Sequence, residues 1–197
     1  MHYVSHLVKD KKLAKTIGEN GHVLELRDNI PVRMMASIMS QQLSTKVADV
    51  IYKRFLDLYK GKEPTPRQVL ATAPEKLRSI GLSNAKVSYV HNVASFCIEH
   101  KITDKKLQKM TNEEIIELLV QIKGIGKWSV EMLLMFSLGR EDVFAVDDLG
   151  IQQAMCALYK IDPADKKAMK EKMLKISAKW SPYRTYACIH LWKWKDE

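Results

Sequence analysis

The stretch Leu118-Leu119-Val120-Gln121-Ile122-Lys123-Gly124-Ile125-Gly126-Lys127-Trp128-Ser129-Val130-Glu131-Met132-Leu133 constrains the fold more than any other part of the chain. It reads as helix, tight glycine turn, helix. Two glycines around one aliphatic residue let the backbone turn sharply and come close to another molecule. The helix after Gly126 begins with N–H groups that have no partner inside the helix, which makes a phosphate site from backbone alone. Glycines serve any tight turn between helices, so the turn by itself is more often a plain corner. An acidic pair, Asp147-Asp148, follows, with Asp148 placed 22 residues beyond Gly126. A phosphate grip followed by a carboxylate points to chemistry on nucleic acid.

The rest of the chain repeats the helical theme. Apolar residues recur with helical spacing along most of the 197 residues. Only 8 glycines and 6 prolines are present, too few for many tight β-turns. Helices are expected over residues 7–18 and 32–39, then from the cap Ser44 to Tyr59. Others start at Pro74 and at the cap Ser83, and the latter runs to about His100. Residues 61–66 read as a loop. Thr111-Asn112-Glu113-Glu114 fits a capping box that opens the helix running to Val120. Further helices are expected over 127–138, from Asp147-Asp148 to Tyr159, and over 164–179 and 182–194. The alternation in His22-Val23-Leu24-Glu25-Leu26-Arg27 reads as a short extended segment. The expected fold is all-α, with about ten helices.

A net charge of +9 favours a polyanionic partner, although a solvated basic surface has the same signature. The chain contains no 18-residue apolar run, so no membrane span is expected. The N-terminus has no signal-peptide apolar core. Cys97, Cys156 and Cys188 are odd in number and far apart, which fits buried thiols in a reducing compartment. Their spacing supports neither a zinc site nor a four-cysteine iron–sulfur cluster.

Four separated segments carry a resemblance. Leu-x-x-Ile-Lys-Gly-Ile-Gly-Lys-Trp-Ser resembles the helix-hairpin-helix of the HhH-GPD superfamily of DNA glycosylases. Val143-Phe144-Ala145-Val146-Asp147-Asp148-Leu149-Gly150-Ile151 resembles the aspartate-ending segment of the same family. Trp180-Ser181-Pro182-Tyr183-Arg184-Thr185-Tyr186-Ala187-Cys188-Ile189-His190-Leu191-Trp192 resembles the closing helix of its AlkA-like branch, the 3-methyladenine DNA glycosylases II. Ile38-Met39-Ser40-Gln41-Gln42-Leu43-Ser44 is similar to the lesion-probing loop of that branch. The resemblance covers roughly residues 30–194; the chain is expected to lack most of the N-terminal β-domain of the longer AlkA-type relatives and to be closer in size to the compact forms.

The resemblance implies a role for each matching position. Asp148 would be the catalytic carboxylate, stabilising an oxocarbenium-like transition state and orienting or deprotonating the attacking water. Asp147 would be a helix cap or local support. Where bifunctional members carry a nucleophilic lysine, this chain has Trp128, which forms no Schiff base. A monofunctional enzyme is therefore expected, leaving an abasic site and a free base. Lys127 lies one position early and would face phosphate or solvent. Gln42 is the best wedge candidate, with Gln41 and Leu43 beside it. Trp128 and Trp192 would supply aromatic surface for a cationic alkylated purine. Met132 and Gly150 occupy pocket positions where the AlkA pattern has an aromatic and a bulkier apolar residue, which leaves the substrate range open.

Phosphate contacts would come from Gly124, Gly126, Lys127 and Ser129. Lys46, Lys53, Arg54 and Lys123 would add to a basic face, again with Lys127. No cofactor is required. The carbonyls of Val120, Ile122 and Ile125 are the positions at which family members hold a monovalent cation.

Residues 31–145 would form a helical lobe with the wedge and hairpin. Residues 1–30 and 146–197 would form a second lobe with the catalytic aspartate, and an active-site cleft would lie between them. The expected protein is a monomeric base-excision-repair hydrolase acting on damaged double-stranded DNA, with 3-methyladenine and 7-methylguanine as its bases. It would be cytoplasmic in a prokaryote or nuclear in a eukaryote. Two rivals stand beside it: a glycosylase for deaminated, etheno or oxidised bases, and a helix-hairpin-helix DNA-binding protein without catalysis.

Overall fold

The computed structural model describes residues 1–18 and 21–196. Among these the chain forms twelve α-helices, two short 3-10 turns (Leu13–Thr16 and Ala178–Trp180) and no strand. In chain order the first six are α1 Val4–Leu7, α2 Ile30–Ser40, α3 Thr45–Asp57, α4 Pro66–Leu70, α5 Pro74–Ser79 and α6 Asn84–Glu99. The others are α7 Asp104–Gln108, α8 Asn112–Leu119, α9 Lys127–Phe136, α10 Leu149–Tyr159, α11 Lys166–Ser177 and α12 Arg184–Asp196. None is long and apolar enough to cross a membrane.

The chain divides into two compact units, Leu26–Leu133 and Met1–Glu25 with Leu134–Glu197. The division falls inside α9. In the first unit α2 is the organising helix. Ile30, Val32, Met34, Met35, Ile38 and Met39 are all buried, as suits a helix apolar around most of its circumference. It packs against α3 and α6, and α6 packs in turn on α4. The start of α2 is capped from far along the chain. The Asp104 carboxylate accepts the N–H groups of Asn29 and Ile30 at 2.7 and 2.9 Å. The capping box of α8 forms as its residues dictate: Glu114 N–H donates to Thr111 Oγ1 at 3.2 Å, and Thr111 N–H to the Glu114 carboxylate at 2.7 Å.

In the second unit α12 is central. Its Thr185, Tyr186, Ala187, Cys188, His190 and Leu191 are buried, and it packs against α10 and the Leu13–Thr16 turn. The N-terminal segment joins this unit through Tyr3, whose ring stacks on Tyr186 at 3.9 Å. Cys97 and Cys188 are buried and Cys156 is half-buried, and burial pushes the Cys97 thiol up to about 12.

Local departures from expectation have simple causes. Residues 7–18 form no single helix, because the chain leaves α1 at Leu7 and re-forms only one 3-10 turn. The segment 22–27 joins no sheet, since the described residues hold no strand to pair with it, and Val23 is 81% exposed. Pro66 begins a helix rather than ending a loop, since Thr65 and Gln68 make a second capping box with proline in the first turn. The short α7 begins at another threonine cap, Thr103.

Candidate active site

The hairpin lies between α8 and α9. Its apolar residues turn inward: Ile122 and Ile125 are buried, and the Ile125 N–H donates to the Ile122 carbonyl at 2.9 Å. Gly124 has φ +106°, and a Cβ there would fall 2.5 Å from Cγ of Tyr89. Backbone and packing thus both require glycine. Gly126 faces open space, with nothing within 4 Å of where its Cβ would be. The loop therefore exposes backbone at the start of α9, where a helix presents its unpaired N–H groups. Lys127 stands at this start, its ammonium 3.7 Å from the buried Glu131 carboxylate. Ser129 is only 8% exposed, so most of it is withdrawn from solvent. Trp128 is 44% exposed, so its indole is not a core side chain. Met132, one turn on, is half-buried.

The Gln41-Gln42-Leu43 turn follows α2 in the same unit. Gln42 takes φ +60°, and the Leu43 N–H donates to Ser40 O at 3.1 Å. Gln42 and Leu43 are exposed at the tip. Gln41 is not at the tip: its Nε2 donates to the Gly124 carbonyl at 3.3 Å. Lys86 of α6 donates to the Met39 and Gln41 carbonyls at 2.9 and 2.7 Å. Lys46, Lys53, Arg54 and Lys123 are exposed, and Arg54 also reaches the Ile80 carbonyl at 3.5 Å.

In the other unit, the buried run Val143–Val146 leads to the start of α10. Thr185 of α12 holds this run, its Oγ1 accepting the Val143 N–H at 3.0 Å. Asp148 has extended backbone (φ −71°, ψ 126°), and its Oδ1 accepts the Ile151 N–H at 2.8 Å. The helix cap is therefore Asp148 and not Asp147. The helix begins at Leu149, and only the residue just before it has its side chain in reach of that N–H. Asp147 instead pairs with Lys170 of α11 at 2.5 Å.

The same Oδ1 of Asp148 accepts the indole N–H of Trp192 at 2.8 Å. Gly150 makes this contact possible. A Cβ on it would lie 3.0 Å from Trp192 Cδ1 and 3.1 Å from Asp148 Oδ1. Trp192 is thus more than aromatic surface, because it grips the carboxylate. Phe136, which sequence reasoning passed over, is 38% exposed with its ring 6.0 Å from Trp192. Its only sequence signal is its place four residues beyond Met132. Lys86 and Tyr89 were also missed, and no local pattern marks them.

A fixed carboxylate with an aromatic partner, and a glycine hairpin opening a helix, are the elements of a DNA-repair fold. The family described as HhH-GPD superfamily base excision DNA repair protein matches residues 35–179, and the chain belongs to that superfamily. Among the similar proteins is DNA-3-methyladenine glycosylase 1 of Schizosaccharomyces pombe, 37% identical over 186 residues, spanning 93% of this chain and 80% of that protein. The solved structure of the S. pombe 3-methyladenine DNA glycosylase Mag1 in complex with abasic DNA superposes with a TM-score of 0.83 at 34% identity, covering 98% of this chain and 96% of that one. A DNA-3-methyladenine glycosidase from Bacillus halodurans gives a TM-score of 0.86 at 34% identity, covering 99% and 89%.

Proposed function

We propose that this protein is a monofunctional DNA glycosylase that hydrolyses the N-glycosidic bond of alkylated purines, 3-methyladenine and 7-methylguanine, in duplex DNA. The observation that carries the reading is the Asp148 carboxylate, held at the start of α10 by the Ile151 N–H and the Trp192 indole. The relatives' names and the Mag1 complex with abasic DNA support the substrate class.

The chemistry follows from charge. An alkylated purine bears positive charge, so the electrons of its bond to C1′ leave readily with the base and neutralise it. Positive charge then develops on the sugar, where a fixed carboxylate stabilises it. Water adds to C1′ and gives its proton to Asp148 or to solvent. Trp192 offers aromatic surface beside Asp148, with the Phe136 ring next to it, and the exposed indole of Trp128 suits stacking on a cationic base, with Met132 as a further contact. Trp128 stands at the lysine position of bifunctional enzymes, so no imine forms and the strand stays uncut.

Gly124, Gly126, Lys127 and the backbone at Ser129 take the phosphate, and the exposed Gln42 and Leu43 fill the gap left by the flipped nucleotide, with Gln41 bracing them. A hydrolysis of this kind needs no oxidant and no organic cofactor, and one copy of the chain suffices. The carbonyls of Val120, Ile122 and Ile125 are neutral oxygens of the type that suits a monovalent cation. The Ile122 oxygen already accepts one N–H but retains a second lone pair. Such an ion would brace the hairpin. The protein would work where DNA is, in the cytoplasm of a prokaryote or the nucleus of a eukaryote.

The test is to incubate the protein with methylated duplex DNA and identify the released bases by chromatography. Free alkylated purine, with strands that break only after alkali, supports the reading. Strands cut without alkali would contradict the monofunctional mechanism, and DNA that is bound but never loses a base would favour a non-catalytic binder.

A further inference from the structure

We infer that Lys86 is a positioning residue for nucleotide flipping, holding the Gln41-Gln42-Leu43 turn at a set place beside the hairpin. The inference rests on the proposed reading of Gln42 and Leu43 as the wedge.

The end of α2 carries carbonyls that no helix N–H can satisfy, together with the negative end of the helix dipole. The Lys86 ammonium meets both needs, donating to the Met39 and Gln41 carbonyls at 2.9 and 2.7 Å. Half-burial raises the cost of any unmet charge there, and the charge–carbonyl bonds are correspondingly strong. Gln42 then turns through φ +60°, a conformation that persists only if its surroundings hold it.

The same side of α6 also grips the hairpin. Tyr89, three residues on, packs against Gly124, and Asn92, three further, donates its Nδ2 to the Lys123 carbonyl at 3.3 Å. Gln41 closes the circuit by donating to the Gly124 carbonyl. One helix face therefore sets the spacing between the phosphate grip and the wedge tip. A wedge on a loose turn would still meet DNA but would fill the vacated stack less often, so the loss falls on extrusion and not on binding.

The test uses the full chain and duplexes that carry a single 7-methylguanine, either paired with cytosine or opposite an abasic site, where no pair must be broken. Single-turnover base release is measured for the wild type, Lys86→Met and Lys86→Arg. Lys86→Met should lose about tenfold or more on the paired lesion and less than about threefold on the unpaired one, with affinity for undamaged duplex unchanged. Lys86→Arg, which keeps the cation, should recover most of the loss. Should Lys86→Met fail to fold, Lys86→Gln, which keeps a donor but not the charge, is put through the same comparison and should show a smaller loss, again confined to the paired lesion. Equal losses on both substrates, or none, would overturn the inference while leaving the glycosylase reading intact. A wild type that releases no base from either duplex would overturn both.

Discussion

Trp192 donates its indole N–H to the oxygen of Asp148 that also caps α10, at 2.8 Å, and Gly150 leaves the space in which the two meet. The three residues are interlocked: the cap fixes the carboxylate, the indole fixes its rotation, and the missing Cβ admits the indole. Each can be altered separately.

Trp192→Phe keeps a ring and removes the N–H. A hydrogen bond to a charged group contributes about 1.5–3 kcal/mol, so kcat should fall about 10- to 100-fold if that bond holds the carboxylate for the transition state. KM should change little. Single-turnover base release measures it, and an unchanged rate would show that the indole serves only as surface.

Gly150→Ala should produce a similar loss by a different route, since its Cβ would press on both Trp192 and Asp148. The two substitutions remove one interaction, so the double variant should lose little more than either alone. Additive losses in a double-mutant cycle would contradict the interlock.

Gly124→Ala combines positive φ with a clash against Tyr89. Strained backbone of this kind costs about 1–3 kcal/mol, and the clash adds to it. Thermal melting should show a clear fall in Tm, and duplex affinity should weaken as the hairpin shifts. Adding Tyr89→Ala should restore part of the stability but not all, because the backbone strain remains.

His190 is 1% exposed, and neither ring nitrogen has a hydrogen-bond partner among the described residues. Burial, with His22 and Lys193 nearby, lowers its pKa to about 4. The unfolded chain takes up a proton near pH 6.5 and the folded one does not. The contribution to stability is therefore complete above about pH 6.5 and is lost as pH falls towards 4, by about 3 kcal/mol in all. His190→Phe should flatten this dependence in urea denaturation at pH 7.5 and 4.5. It should also cost little at pH 7.5, because two unsatisfied polar atoms disappear. Parallel profiles for the two proteins would rule the histidine out.

Much of the site is legible in the sequence wherever local rules decide. Gly124 and Gly126 mark the turn, and Thr111 and Glu114 mark the helix before it. The carboxylate pair is legible too, but not which aspartate caps, because helix starts read from pattern are uncertain by a residue or two. Long-range contacts are not legible. Trp192 and Asp148 are 44 residues apart, Lys86 and Met39 are 47, and Asp104 caps a helix start 75 residues back at Asn29. No periodicity encodes such pairs, since they exist only once the helices have packed. The alternation at His22–Arg27 builds no ladder, because the described residues hold no strand for it to pair with.

The most direct measurement compares base release from methylated duplex by the wild type and by Asp148→Asn. Asparagine caps a helix as well as aspartate does, so the variant should fold and bind DNA while lacking the negative charge. The wild type should liberate alkylated purine and leave abasic, uncut strands, whereas the variant should be slower by about a hundredfold or more. Equal release by the two proteins would contradict the assignment of the chemistry to Asp148.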